Sequence, residues 1–98
     1  MGEYLFKPVS NLTFDTVADE NLRMEQSLRA CGTSVTTLRI DLSSVVLCDT
    51  AGLALLIEAK RLSKQFGKLL EVCDIPQHVR DLAIFCGVDG VFTLSPKN

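Results

Sequence analysis

Between Leu38 and Phe66 the spacing of the apolar residues changes once, from every second position to every third or fourth. Leu38, Ile40 and Leu42 alternate with Arg39 and Asp41 inside Thr36–Leu42, the two-residue period of a strand with one covered face. From Thr50 to Phe66 the pattern is helical: Leu55, Ala59, Leu62 and Phe66 stand at i, i+4, i+7 and i+11, and Gly67 can close the helix. A covered strand needs sheet partners, and an amphipathic helix needs that sheet to lie on. This one stretch therefore selects the α/β class. Ser43 and Ser44 interrupt the strand, and Val45, Val46 and Leu47 are expected to lie against the core as the chain crosses to Asp49.

The flanking segments supply the partners. Tyr4 and Phe6, then Leu12 and Phe14, alternate weakly around Pro8-Val9-Ser10-Asn11, which suits two short strands joined by a tight turn. Thr16 is a candidate N-cap, with Asp19 and Glu20 in the first turn facing the positive end of the helix dipole. Val17, Asn21, Met24, Leu28 and Cys31 follow on one stripe, and Gly32 can end the helix in the left-handed region. After Gly67, Leu69–Cys73 reads as a strand and Asp74-Ile75-Pro76 opens a last helix. That helix carries Val79, Leu82, Ala83 and Cys86 on one face and stops at Gly87. Asp89-Gly90 would turn into a terminal strand, Val91–Leu94, with Ser95–Asn98 fraying. Strands alternating with helices favour parallel pairing, whereas the first two could form a hairpin. The expected architecture is a mixed central sheet with three main helices.

A chain of 98 residues with no internal repeat or linker is expected to be one domain. Its net charge of −2 and the lack of a basic stripe argue against nucleic acid as a partner. The longest apolar run, Leu53 to Ile57, is too short to cross a bilayer, and the first ten residues carry no charged-then-apolar leader pattern. A cytosolic protein without direct membrane insertion is expected. Cys31, Cys48, Cys73 and Cys86 are widely spaced, with no C-x-x-C pair and one histidine in the chain, which argues against a zinc cluster. A disulfide framework is the less favoured reading, because each cysteine sits in or beside an apolar run and behaves there as a small hydrophobe.

Chemical potential concentrates at the junction Cys48-Asp49-Thr50-Ala51-Gly52. Unpaired N–H groups at a helix start attract anions, and a hydroxyl there could carry a phosphate in the same dipole field. Asp49 could equally be only the N-cap. Gly52 in a first helical turn costs up to ~1 kcal/mol against alanine, which points to close approach by another backbone or a partner.

The run Ile40-Asp41-Leu42 through Val46, then Asp49-Thr50-Ala51-Gly52-Leu53 through Leu56, Gly67, and Leu82 to Gly87, resembles the STAS domain family over nearly the whole chain. The D-[ST]-x-G-L junction after a strand is the most specific part. Within the family the stretch DTAGLALL is most similar to the small STAS subunits of phospholipid-transporting ABC transporters that maintain outer-membrane lipid asymmetry. The resemblance implies a non-enzymatic protein that binds and stabilises or regulates the transporter's ATPase subunit, itself joined to a permease. It also implies an alternative: an anti-sigma factor antagonist, whose partner kinase phosphorylates the hydroxyl residue after the aspartate, here Thr50. Most such kinases act on serine, and Ala51 stands where a second hydroxyl is common. Thr50 is therefore expected to be an interaction residue first and a phosphorylation site second.

An interaction surface also follows from the helical wheel alone. If Leu55, Ala59, Leu62 and Phe66 face the core, Leu53 and Ile57 point about 150° or more away, on the face of Lys60 and Lys64. Exposed apolar residues beside cations suggest a docking patch made of Asp49, Thr50, Ala51, Gly52, Leu53, Ile57, Lys60 and Lys64. The alternative is that a neighbouring element covers Leu53 and Ile57. His78 has no catalytic companion at a recognisable spacing and reads as a solvated helix residue. Glu58 with Arg61 reads as a surface pair contributing about 0.3 kcal/mol. Asp41 with Asp49 could suggest a carboxylate pair or a magnesium site, but a strand face and a cap account for them more simply. With no G-x-x-x-x-G-K-[ST] loop, any nucleotide chemistry belongs to a partner, and no cofactor or metal is expected.

Overall fold

The computed structural model describes residues 2–9 and 11–90. Six elements follow one another: β1 (Gly2–Phe6), α1 (Val17–Cys31), β2 (Val35–Asp41), α2 (Thr50–Gln65), β3 (Leu69–Cys73) and α3 (Gln77–Cys86). The α/β class and the three helices are those expected. The terminal strand at 91–94 lies outside the described residues.

The sheet is laid down in the order β1-β2-β3, and both pairings are parallel. This replaces the hairpin expected across Tyr4–Phe14, and with it the mixed sheet, among the described residues. Leu12 makes only an isolated parallel bridge to Cys48. The reason lies in where the backbone groups of this segment find partners. Val9 N–H donates to Glu20 Oε2 at 2.9 Å, Leu12 N–H to the Leu47 carbonyl at 2.9 Å and Phe14 N–H to Asp49 Oδ2 at 3.1 Å. These three donors are thereby taken from any ladder with β1.

Register puts Phe6, Ile40 and Val72 in one row and Tyr4, Leu38 and Leu70 in the next, on the face that builds the core. The opposite face carries Leu5, Arg39 and Glu71 in a row, with Arg39 Nη1 2.7 Å from Glu71 Oε1 and 3.7 Å from Glu3 Oε2. Two right-handed crossovers that step the same way across a sheet leave their helices on the same face. Accordingly α1 and α2 run side by side and parallel. Val17 and Ala18 line a groove with Ala51 and Ala54 at one end, and the Arg29 guanidinium lies 5.4 Å from the centre of the Phe66 ring at the other.

The stripe Leu55, Ala59 and Leu62 is buried as expected, with Phe66 half-buried at the C-cap. Gly67 and Gly87 take positive φ of 69° and 75° where their helices end. Gly32 also has positive φ, 72°, but with ψ −165° it leaves the helix extended and not in the left-handed helical region. Thr16 stands at the N-cap of α1 without capping it. Its hydroxyl instead bonds the Asn11 carbonyl and accepts from Thr13 N–H at 3.0 Å, holding the turn before the helix.

Glu20, in the first turn of α1 as expected, is also buried. It accepts from Val9 N–H and from Arg23 Nη2 at 2.6 Å, and Arg23 in turn stacks 4.5 Å over the Phe6 ring and donates to the Lys7 carbonyl. The charged pair ties the exit of β1 to α1.

Candidate functional site

Asp49 sits in extended conformation (φ −114°, ψ −170°) immediately before α2, and both of its carboxylate oxygens are engaged. Oδ1 accepts from the backbone N–H groups of Ala51 at 2.9 Å and Gly52 at 3.1 Å, which satisfies two of the helix's free donors. Oδ2 accepts from Phe14 N–H at 3.1 Å. The Phe14 bond, with those from Gly52 and Ala51, holds the carboxyl below the usual aspartate range in spite of partial desolvation. Asp49 is thus the cap, and it also stitches the segment at 11–16 to the start of α2.

That segment crosses directly over the helix. The Leu12 carbonyl accepts from Asp49 N–H at 3.1 Å, and Leu47 N–H donates to Asn11 Oδ1 at 3.1 Å. A Cβ on Gly52 would lie 2.2 Å from the Leu12 carbonyl oxygen and 2.8 Å from Cys48 Sγ. The approach anticipated for Gly52 is made by the chain's own backbone.

With Asp49 and Gly52 holding the junction together, Thr50 is the residue left facing outward. It is the first residue of α2 and exposed, and its hydroxyl makes no hydrogen bond among the described residues. Ala51 beside it is half-buried. Apolar side chains are exposed on the two segments that meet this junction: Phe14, 81% exposed, on the segment at 11–16, and Val46 and Leu47 on the one that leads into α2. Val45 lies in the core as expected, but Val46 and Leu47 do not. It is the backbone of Leu47 that binds the neighbouring segment, through both its N–H and its carbonyl, and this leaves the side chains outside. Sequence alone gave no sign that Phe14 belongs to this rim, because its partner is 35 residues away.

Along α2 the outward line runs Thr50, Ala54, Ile57, Arg61 and Lys64. Ile57 is 43% exposed and keeps its expected place, whereas Leu53 is 4% exposed and belongs to the core cluster with Leu12, Leu42 and Val45. The two are about 40° apart on the wheel, so the boundary between interior and solvent passes between them. The buried arc is wider than the Leu55 stripe because Leu53, Leu56 and Ser63 extend it on one side, with Lys60 half-buried among them. Glu58 and Arg61 form the expected surface pair, at 2.9 Å from Arg61 Nε and 2.5 Å from Nη2.

The remaining candidates are not assembled into a catalytic constellation among the described residues. His78 is exposed in the first turn of α3. Asp41 Oδ1 accepts from Ser43 N–H at 2.8 Å, so it and Asp49 have separate backbone partners. Asp41 lies instead beside Cys73 and Asp74, with ligand atoms within 4.8 Å of one another. Burial raises the Cys73 thiol against the opposing pull of Arg39, and Asp41 and Asp74 add smaller upward contributions, so this trio holds a neutral thiol. Burial, helped by Asp49, pushes the Cys48 thiol up to about 11, which makes it a poor nucleophile at neutral pH. All four cysteines are free thiols.

The family model described as "Mlab, STAS domain" matches residues 11–95. The chain belongs to the STAS family. A solved structure of a sulfate transporter family protein from Wolinella succinogenes shares this STAS fold, with a TM-score of 0.72 at 17% identity, over 90% of this chain and 69% of that one. No curated protein matches the sequence. In this STAS domain no described helix is long and apolar enough to cross a membrane.

Proposed function

We propose that this STAS domain is a non-enzymatic subunit that docks on the cytoplasmic ATPase of an Mla-type, phospholipid-transporting ABC transporter and stabilises or regulates it. The transporter would maintain outer-membrane lipid asymmetry. The observation that carries the reading is the free hydroxyl of Thr50, exposed at a helix start whose cap is fully engaged and whose rim is apolar. Such a surface provides one directional hydrogen bond inside a contact area that excludes water, the composition of a protein interface core. The MlaB description of the matching family model supports the choice of partner.

A second reading is favoured by the position of Thr50 on the first turn of α2. A phosphate on that hydroxyl would lie in the helix dipole yet beside the Asp49 carboxylate, and its charge would remodel docking in an anti-sigma factor antagonist. Purification of the tagged chain from its native cell separates the two. Co-elution of an ABC ATPase together with its permease is expected. Recovery of a serine-protein kinase that phosphorylates Thr50, without those subunits, transfers the assignment to the switch.

A further inference from the structure

We propose that the cleft between the C-terminal half of α2 and the start of β3 binds a phosphate group. The cleft, about 290 Å³ in volume, is lined by Lys60, Ser63, Lys64, Lys68, Leu69 and Leu70, three cations and no carboxylate. Lys60 and Lys64 are one helical turn apart, and among the described residues neither has an ion-pair partner. Cations elsewhere on α1 and α2 are matched, Arg23 by Glu20, Arg29 by Glu25 and Arg61 by Glu58. Like charges at this spacing repel, and an anion seated between them reverses the sign of that interaction.

Two further features shape the cleft. Ser63, 1% exposed, lies in its wall and carries a buried hydroxyl with no hydrogen-bond partner among the described residues. Lys68 is held in place by its ammonium on the carbonyls of Gly32 at 2.9 Å and Val35 at 2.5 Å, adding a fixed positive charge. Three carbonyls at the end of α2, which would repel an anion, are already capped. Those of Leu62, Lys64 and Ser63 accept from the N–H groups of Phe66, Gly67 and Lys68 at 2.9, 3.1 and 2.7 Å.

A phosphate monoester carries close to two negative charges and three acceptor oxygens at neutral pH. It matches two free ammonium groups and one hydroxyl, whereas a carboxylate matches only part of that set.

The test is an amide NMR titration of the 15N-labelled protein with inorganic phosphate at constant ionic strength. Saturable shifts are expected around Lys60–Leu70, weakened about tenfold or more in the double variant Lys60→Gln/Lys64→Gln. Ser63→Ala is expected to weaken binding while leaving the Tm equal or higher, because it deletes an unpaired buried hydroxyl; a purely structural serine would lower the Tm and spare the titration. Sedimentation with phosphatidylcholine vesicles, with and without phosphatidic acid, locates the source. Co-sedimentation that needs phosphatidic acid and both lysines assigns the phosphate to a lipid headgroup, and a titration without co-sedimentation assigns it to a soluble ligand. No saturable shift in the wild type, or an unchanged response in either variant, overturns the proposal.

Discussion

The Leu12 carbonyl oxygen occupies the space that a side chain on residue 52 would need, 2.2 Å from the ideal Cβ position of Gly52. Helix propensity alone would reward Gly52→Ala with up to about 1 kcal/mol. The overlap with backbone reverses the sign, and a net loss of roughly 1–3 kcal/mol is expected. Chemical denaturation of the variant measures it. A gain in stability would contradict the close crossing of the two segments.

Asp49 makes the second link of that crossing and predicts a pH dependence. Its folded-state pKa is lowered, chiefly by the Phe14 N–H, so its contribution is complete above the unfolded value of about 3.9 and fades as pH falls below that. The stability difference between wild type and Asp49→Asn should therefore be constant near neutrality and shrink below about pH 4. Urea titrations from pH 7 to pH 2.5 would show it. A difference that grows in acid contradicts the assignment.

Leu53 and Ile57 should separate folding from docking. Leu53→Asp places a charge in the core and should cost several kcal/mol, enough to abolish the cooperative melt. Ile57→Asp, on the exposed line of α2, should stay within about 1 kcal/mol of wild type while losing capture of the ATPase. Circular-dichroism melts paired with co-purification distinguish these outcomes.

At Thr50 the two functional readings diverge. Thr50→Glu adds a negative charge at the positive end of a helix and should melt at or slightly above the wild-type temperature. If the hydroxyl itself contacts a transporter ATPase, both Thr50→Ala and Thr50→Glu should lose binding. Under a phosphorylation switch the alanine variant should bind normally and only glutamate should fail.

Glu20→Ala removes the buried acceptor of Val9 N–H and of Arg23. A loss of about 2 kcal/mol is expected, below that of a fully buried ion pair because Arg23 is partly solvated. Thermal denaturation at two salt concentrations checks both the size and the weak screening.

What was legible in the sequence is what local spacing encodes. The period change at Thr50, the glycine after each helix and the alternation of Leu38, Ile40 and Leu42 all report a residue's relation to its near neighbours, and the elements they mark are present. The segment at 7–16 was misread because its partners are distant. Nothing in Leu12 or Phe14 says that their backbone groups bond to residues 47–49, or that Phe14 ends outside. The expected exposure of Leu53 fails in the same way. A wheel locates a face, but a second piece of chain decides whether that face is covered.

The crossing of residues 11–14 over the start of α2 bears on whether this surface is transplantable. The short run from Asp49 to Leu53 would keep its helical start on a foreign scaffold, yet lose Phe14 and the donor that orients the aspartate. On the proposed docking role, recognition would be a property of two strips of polypeptide woven together, and grafting one alone should deliver a capped helix with no partner.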